Sequence, residues 1–452
     1  MTTLPLVSHT APDSIIAWRA NGAVTLTQFL TEVYQLAALL PAGNHVLNMC
    51  SDRYRFSVSL AAAIITGKIS LLPPTHTAEV VRKITEFAPD VFCLTDSDQA
   101  TIGIPSLRYP LMAASGSSDP AQKFVIPKIE GKQCIAIVFT SGSSGIPQPH
   151  PKNWAALVSS VQAEASRLGL LNPERPYTLI GTVPPQHMYG FESTVLMAWL
   201  SANAFSYAQP FYPADICQAL ATVPTPRVLV SSPVHLRVLL DADLALPEMA
   251  LVVSATAPLS VQLAWDIEAR CHAPLMEIYG STETGLIATR SPTQTTEWQL
   301  LPGIKLITQA DDILASGGHI ESPTTMSDLI ESVTDKHFLL HGRAADMINI
   351  AGKRHSLASL DHFLNTIPGV VDGAFFMPDE SSDEHVTRLA ACVVAPGMDA
   401  LRLLALLRNH IDPVFLPRPL VFLEALPRNH TGKLTRAALQ ALFKTHSAQR
   451  SA

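Results

Sequence analysis

Short apolar runs separated by longer, helix-like segments set the pattern of this chain. His45 to Cys50 reads as an early strand, Phe56 to Thr66 as a helix rich in Ala and Ile, and Ser70-Leu71-Leu72 as the strand that follows. Val228-Leu229-Val230 and Leu251-Val252-Val253 look like further strands, and each runs into a small polar turn, Ser231-Ser232-Pro233 and Ser254-Ala255-Thr256. Such alternation predicts an α/β protein with largely parallel sheets, in which ligands collect beyond the C-terminal ends of the strands. The apolar run Ile135-Ala136-Ile137-Val138 leads into Phe139-Thr140-Ser141-Gly142-Ser143-Ser144-Gly145-Ile146-Pro147. Gly142 and Gly145 let the backbone approach an anion, and the hydroxyls of Thr140, Ser141, Ser143 and Ser144 add donors, as a phosphate requires. By itself the stretch also fits a plain turn, and neither a closing Gly-Lys-Ser/Thr nor a G-x-G-x-x-G accompanies it.

Charge and cysteine usage narrow the classes. With 452 residues the chain can bury a large core and carry a further domain. A net charge of -7 with 15% charged residues leaves no basic footprint for a nucleic acid. The six cysteines lack C-x-x-C spacing and read as small buried residues of a reducing compartment. Met1 to Asn21 has no apolar core of the signal-peptide kind, and the longest apolar runs, such as Leu60 to Ile65, are too short to span a bilayer. The expectation is a soluble cytoplasmic protein without membrane insertion.

Four further blocks change the picture. They are Pro184-Pro185-Gln186-His187-Met188-Tyr189-Gly190, Glu277-Ile278-Tyr279-Gly280-Ser281-Thr282-Glu283-Thr284-Gly285, His341-Gly342-Arg343-Ala344-Ala345-Asp346, and Pro427-Arg428-Asn429-His430-Thr431-Gly432-Lys433-Leu434. With the serine-glycine loop, they resemble, in order and spacing, the motifs of the adenylate-forming (AMP-binding) superfamily of acyl- and aryl-acid ligases. The resemblance implies a large N-terminal AMP-binding domain of packed α/β sheets over residues 1–342, a hinge at 343–346, and a small α+β lid over 347–452. It further implies that ATP and Mg2+ are used to turn a carboxylate into an acyl-adenylate, with loss of pyrophosphate. On that pattern, Thr140, Ser141, Gly142, Ser143, Ser144 and Gly145 hold the β- and γ-phosphates. Thr282 bonds the α-phosphate and Glu283 binds the metal. Tyr279 lies against the adenine, Gly280 belongs to the same nucleotide site, Asp328 takes the ribose and Arg343 supports the ribose or phosphates. Lys433 bridges the carboxylate and the α-phosphate, and His187 belongs to the active site.

The acceptor implied is a thiol, either coenzyme A or the phosphopantetheine arm of an acyl carrier protein, with Arg354 and Lys353 available for its phosphates. Met188 stands where amino-acid-activating relatives commonly carry an Asp, which disfavours an α-amino acid, since a buried ammonium needs a partner. The candidate pocket segments Met188 to Phe191, Ser254 to Ala257 and Gly285 to Ile287 are mostly apolar or small and suit an aryl or fatty acid. Two positions depart from the pattern. The loop continues Pro147-Gln148-Pro149-His150-Pro151-Lys152 where Pro-Lys-Gly is usual, so a cation is missing at Gln148 and His150 or Lys152 stands in reach. Ala345 replaces the hinge Asp or Lys. These departures keep open a degenerate, nucleotide-binding homologue without ligase activity, and a non-thiol acceptor is a third reading.

Overall fold

The computed structural model describes residues 2–73, 75–97, 103–110, 124–141, 147–172, 174–309, 312–343, 347–350, 353–378, 389–429 and 434–450. Two large sheets dominate it. One has six strands, in spatial order Pro147–Asn153, Cys134–Ser141, Ile69–Leu72, His45–Asn48, Phe92–Thr95 and Ser106–Arg108. All neighbours in it are parallel except the first pair. The other has eleven strands, with a parallel block through Leu275–Ser281, Leu251–Ser254, Arg227–Ser231, Thr178–Gly181, Ala204–Ser206 and Ile15–Arg19. An antiparallel set, Gly285–Arg290, Trp298–Leu300, His337–Arg343 and Asp328–Ser332, extends one edge. The α/β class expected from the alternation is the class observed.

Burial explains why the expected elements formed. The helix Arg53–Ile65 is buried on nearly every face, which a run of Phe56, Val58, Leu60, Ala61, Ala62, Ala63 and Ile64 permits. It starts three residues before the expected Phe56 because Asp52 caps it, accepting from the Arg55 N–H at 2.9 Å. The expected strand at 45–50 ends at Asn48, whose side-chain oxygen accepts from the Cys50 N–H and turns the chain. After residue 347, a three-stranded sheet of Asp372–Phe376, Ala390–Val394 and Leu420–Phe422 packs with helices Leu357–Thr366, Ala400–Leu407 and Arg436–Arg450. Its two apolar clusters, one around Leu360, Phe375 and Leu403 and one around Phe376, Cys392 and Leu439, draw only on residues of this region. The hinge residues Ala344, Ala345 and Asp346 lie outside the described residues.

Six strands in three antiparallel pairs frame the site: β1 (Cys134–Ser141) with β2 (Pro147–Asn153), β3 (Leu275–Ser281) with β4 (Gly285–Arg290), and β5 (Asp328–Ser332) with β6 (His337–Arg343). Proline at every second residue of Pro147-Gln-Pro149-His-Pro151 would break a central strand. β2 is the last strand of its sheet, so three residues without an N–H can face the free edge while Gln148, His150 and Lys152 serve the ladder to β1.

Candidate functional site

Two hairpins from different sheets meet at the site. In the first, β1 and β2 pair with Thr140 opposite Gln148, Val138 opposite His150 and Ala136 opposite Lys152. His150 Nε2 is hydrogen-bonded to Thr140 Oγ1 at 3.0 Å. The second hairpin, β3 to β4, carries Tyr279-Gly280-Ser281-Thr282-Glu283-Thr284-Gly285. Ser281 and Thr284 close its turn, with hydroxyls 3.1 Å apart and each bonded to the other's N–H. Glycine at 280 is a steric requirement, because a Cβ there would stand 2.2 Å from the Gly285 carbonyl oxygen. Gly285 itself has a φ of +68°.

The two hairpins touch through charge. Lys152 Nζ donates to the Thr282 carbonyl, and His150 Nε2 lies 3.6 Å from Glu283 Oε1. Burial works to raise the pKa of Glu283. Hydrogen bonds from its own backbone and from Ser281, with the nearby His150 and Lys152, outweigh burial and hold the carboxyl below the usual range. An ionised, half-exposed carboxylate beside hydroxyls and backbone oxygens suits a hard divalent cation. No group of three or more His, Cys, Asp or Glu side chains that could cage a metal occurs among the described residues. Mg2+ takes one or two carboxylates and completes its shell with phosphate and water oxygens, so a single Glu283 carboxylate is a suitable protein ligand for it.

Tyr279 ties in a third element. Its hydroxyl donates to Asp328 Oδ2 at 2.6 Å, and its ring packs on Trp298 and Phe338 at 5.4 and 5.8 Å. Asp328 at the start of β5 is paired with Arg343 at the end of β6, so the candidate ribose and hinge residues are register partners. Thr140, Thr282, Glu283, Tyr279 and Asp328, separated by up to 188 positions in the chain, therefore form one connected surface.

The profile of the family described as "AMP-binding enzyme" matches residues 7–312, about two thirds of the chain. The chain belongs to the AMP-binding enzyme family. A 4-coumarate–CoA ligase of Rhodobacter capsulatus is 28% identical over 312 residues, 69% of this chain and 78% of the relative. A human mitochondrial acyl-coenzyme A synthetase is 23% identical over 86% of this chain and 72% of its own. Among solved structures, the o-succinylbenzoate CoA synthetase of Bacillus subtilis in complex with its acyl-adenylate intermediate aligns with a TM-score of 0.81 at 17% identity. That alignment covers 97% of this chain and 99% of the other, and supports the shared fold.

In this AMP-binding enzyme, His187 immediately precedes a short helix, Met188–Gly190, without a side-chain capping bond, and the helix continues as a π-helical turn over Phe191–Leu196. Gly190 is needed by close approach, since a Cβ would stand 2.1 Å from the Pro184 carbonyl oxygen. The Tyr189 hydroxyl reaches the carbonyls of Ser231 at 3.0 Å and Val253 at 3.1 Å, which seats the segment on the C-terminal ends of two parallel strands. Tyr189 thereby lies against Val253, the residue before Ser254, and a Cβ on Gly285 would lie 3.5 Å from Glu192 Oε1.

Glu192 and Glu164 are what the sequence reading missed. Both are buried, and neither oxygen of Glu164, nor Oε1 of Glu192, has a hydrogen-bond partner. Burial, with repulsion from Glu192, pushes Glu164 up to about 8, and burial pushes Glu192 up to about 7 against the pull of Lys152. The signal available was a Glu inside an apolar run, Phe191-Glu192-Ser193-Thr194-Val195-Leu196. Above about pH 4.3 the unfolded chain releases these protons while the fold retains them, so stability is lost as pH rises to about 8. The melting temperature should fall between pH 5 and 8, and Glu164→Gln should flatten that fall by on the order of 5 °C. A pH profile identical to that of the unaltered protein would refute this.

The remaining candidates are placed only in part. Gly142, Ser143, Ser144, Gly145 and Lys433 lie outside the described residues. Ser141, Arg343 and Arg354 are placed by their backbones, Arg354 opposite Asn349 in a hairpin of Met347–Ile350 and Lys353–Ser356. Among the described residues no helix is long and apolar enough to cross a membrane.

Proposed function

We propose that this protein joins a carboxylic acid to a pantetheine thiol in two steps through an acyl-adenylate. Membership of the AMP-binding family, with CoA ligases among its relatives, makes it an ATP-dependent, AMP-forming acid–thiol ligase. The observation that carries the finer reading is the joining of Thr140, the Thr282–Glu283 turn and the Tyr279–Asp328 pair into one polar surface beside the 188–191 segment.

In the first step an oxygen of the acid's carboxylate attacks the α-phosphorus of ATP, and the bond to the pyrophosphate oxygen breaks. Charge neutralisation limits such a step more than proton transfer does. The 140–145 loop would hold the β- and γ-phosphates, Thr282 the α-phosphate, and Tyr279 with Gly280 the adenine. Asp328 and Arg343 would take the ribose. Glu283 would hold Mg2+, which when bound neutralises phosphate charge. Lys433 would bridge the carboxylate and the α-phosphate as negative charge gathers there. In the second step the thiolate attacks the acyl carbon, AMP departs, and Arg354 and Lys353 serve the phosphates of coenzyme A or of a carrier's pantetheine arm. His187 would face the acid. Met188 offers no partner to an ammonium, and Tyr189, Phe191 and Leu286 supply apolar surface, so an aryl or fatty acid is the substrate class.

The test is pyrophosphate release with Mg·ATP across benzoic, cinnamic, fatty and amino acids, with and without coenzyme A. Release confined to aryl or fatty acids and raised by coenzyme A is the expected result. Release that coenzyme A does not raise shifts the acceptor to a carrier protein or a non-thiol nucleophile. Silence across the panel with Mg·ATP still bound would favour the degenerate homologue.

A further inference from the structure

We propose that Lys152, carried on the proline-alternating edge strand β2, replaces the cation absent at Gln148 and acts as a positioning residue for the Thr282–Glu283 turn, with His150 holding Thr140 beside it. The inference rests on the reading of that turn as the α-phosphate and metal site.

Four observations support it. Residues 148, 150 and 152 share one face of β2 because side chains alternate along a strand, so Lys152 reaches the side a residue at 148 would serve. Prolines at 147, 149 and 151 restrict the backbone that carries these side chains, so the strand is stiff where a loop would be pliant. Lys152 donates to the Thr282 carbonyl, and the next residue, Asn153, donates to Glu321 Oε1 at 2.7 Å, which pins the far end of the strand. His150 links both sides, bonded to Thr140 and 3.6 Å from Glu283.

The surroundings show why a lysine is accommodated in this half-buried place. Burial works against its charge, while the carboxylates of Glu192, Glu283 and Glu321 support it. A half-buried ammonium that bonds the first carbonyl of the three-residue turn Thr282-Glu283-Thr284 fixes that peptide plane, and thereby the turn from which Thr282 and Glu283 project. It also contributes a positive potential toward the phosphates without touching them. The planar fork of an arginine does not match a single carbonyl.

The experiment compares Mg·ATP binding by calorimetry, and the KM values for ATP and for the acid, in wild type, Lys152→Met, Lys152→Gln and Lys152→Met/Gln148→Lys. Lys152→Met should weaken Mg·ATP binding about tenfold, the size of one charge-assisted hydrogen bond, and raise the KM for ATP in parallel. The KM for the acid should stay within about twofold, a split that general loosening of the fold would not produce. Lys152→Gln keeps a donor for the Thr282 carbonyl and stands in if Lys152→Met fails to fold; it should lose binding through its lost charge. Adding Gln148→Lys should recover at least about a third of the lost affinity. Wild-type affinity in a folded Lys152→Met or Lys152→Gln protein overturns the proposal. A wild type that binds Mg·ATP but releases no pyrophosphate with any acid defeats the ligase reading alone, because the binding comparison still decides the role of Lys152.

Discussion

Replacing Lys433 by alanine should lower acid-dependent pyrophosphate release by about 10²–10³-fold while leaving thioester formation from a preformed acyl-adenylate within about threefold of wild type. The asymmetry follows from where charge appears. In adenylation two anions, the carboxylate and the α-phosphate, are forced together, and their repulsion peaks in the transition state. A single ammonium between them lowers that peak far more than it lowers the ground state. In the second step the electrophile is a neutral acyl carbon and the departing group is already esterified, so no cation is needed at the same point. Lysine suits the task because its charge is compact and its stem long. The chain on either side of Lys433 is well anchored. Arg428 and Leu434 form a bridge, and Arg428 is held to both carboxylate oxygens of Asp372 at 2.7 Å. Measured with separate assays of pyrophosphate release and of thioester formation, equal loss in both steps would remove Lys433 from the role assigned to it.

How much of this was readable in advance depends on the kind of constraint. Motif glycines were readable, and the structure supplies their reasons. Gly280 and Gly190 are sites of close backbone approach, and such constraints are local, acting across five or six residues of chain. The α/β class was readable from strand-like runs because a strand buried on both faces needs a nearly continuous apolar stretch, as in Leu251–Ser254. The strand Pro147–Asn153 was not. Proline every second residue reads as a breaker unless the segment is known to be an edge, and edge position is a property of the whole sheet. The same limit hid the contact of Lys152 with Thr282, 130 positions away. His319, which bonds the Thr284 carbonyl at 3.0 Å from a different small sheet, was equally out of reach. Buried charge is the third blind spot. Glu164, Glu192 and Arg53 look like surface groups in a sequence, because burial of an ionisable side chain is decided by what packs over it.

Arg53 is the costliest of these to lose, and Arg53→Met should destabilise the protein by about 3–5 kcal/mol, lowering the melting temperature on the order of 10 °C. Its side chain is wholly buried. One nitrogen donates to the Ala208 carbonyl at 2.5 Å, and the other to Gly181 at 2.9 Å and Val183 at 2.8 Å. The guanidinium thus ties the helix of the six-stranded sheet to two segments of the eleven-stranded sheet. Burial pulls its pKa down to about 10, with Asp52 opposing, so it remains charged at neutral pH. Methionine fills similar volume and removes the desolvation cost of the charge, which works in favour of the variant. Two buried carbonyls, those of Gly181 and Val183, and the half-buried one of Ala208 lose their donor at once, and at about 1–3 kcal/mol for each buried acceptor that loss is the larger effect. The local sequence is built around the arginine. A Cβ on Gly181 would stand 2.8 Å from the guanidinium, so any other residue there would crowd it. Val183 immediately precedes Pro184-Pro185-Gln186-His187, so loosening its carbonyl should also displace the segment proposed to face the acid. The KM for the acid is therefore expected to rise more than the KM for ATP, the reverse of the split expected for Lys152→Met. A melting temperature within about 2 °C of wild type would show that the three carbonyls find other donors, and that Arg53 does not hold the sheets together.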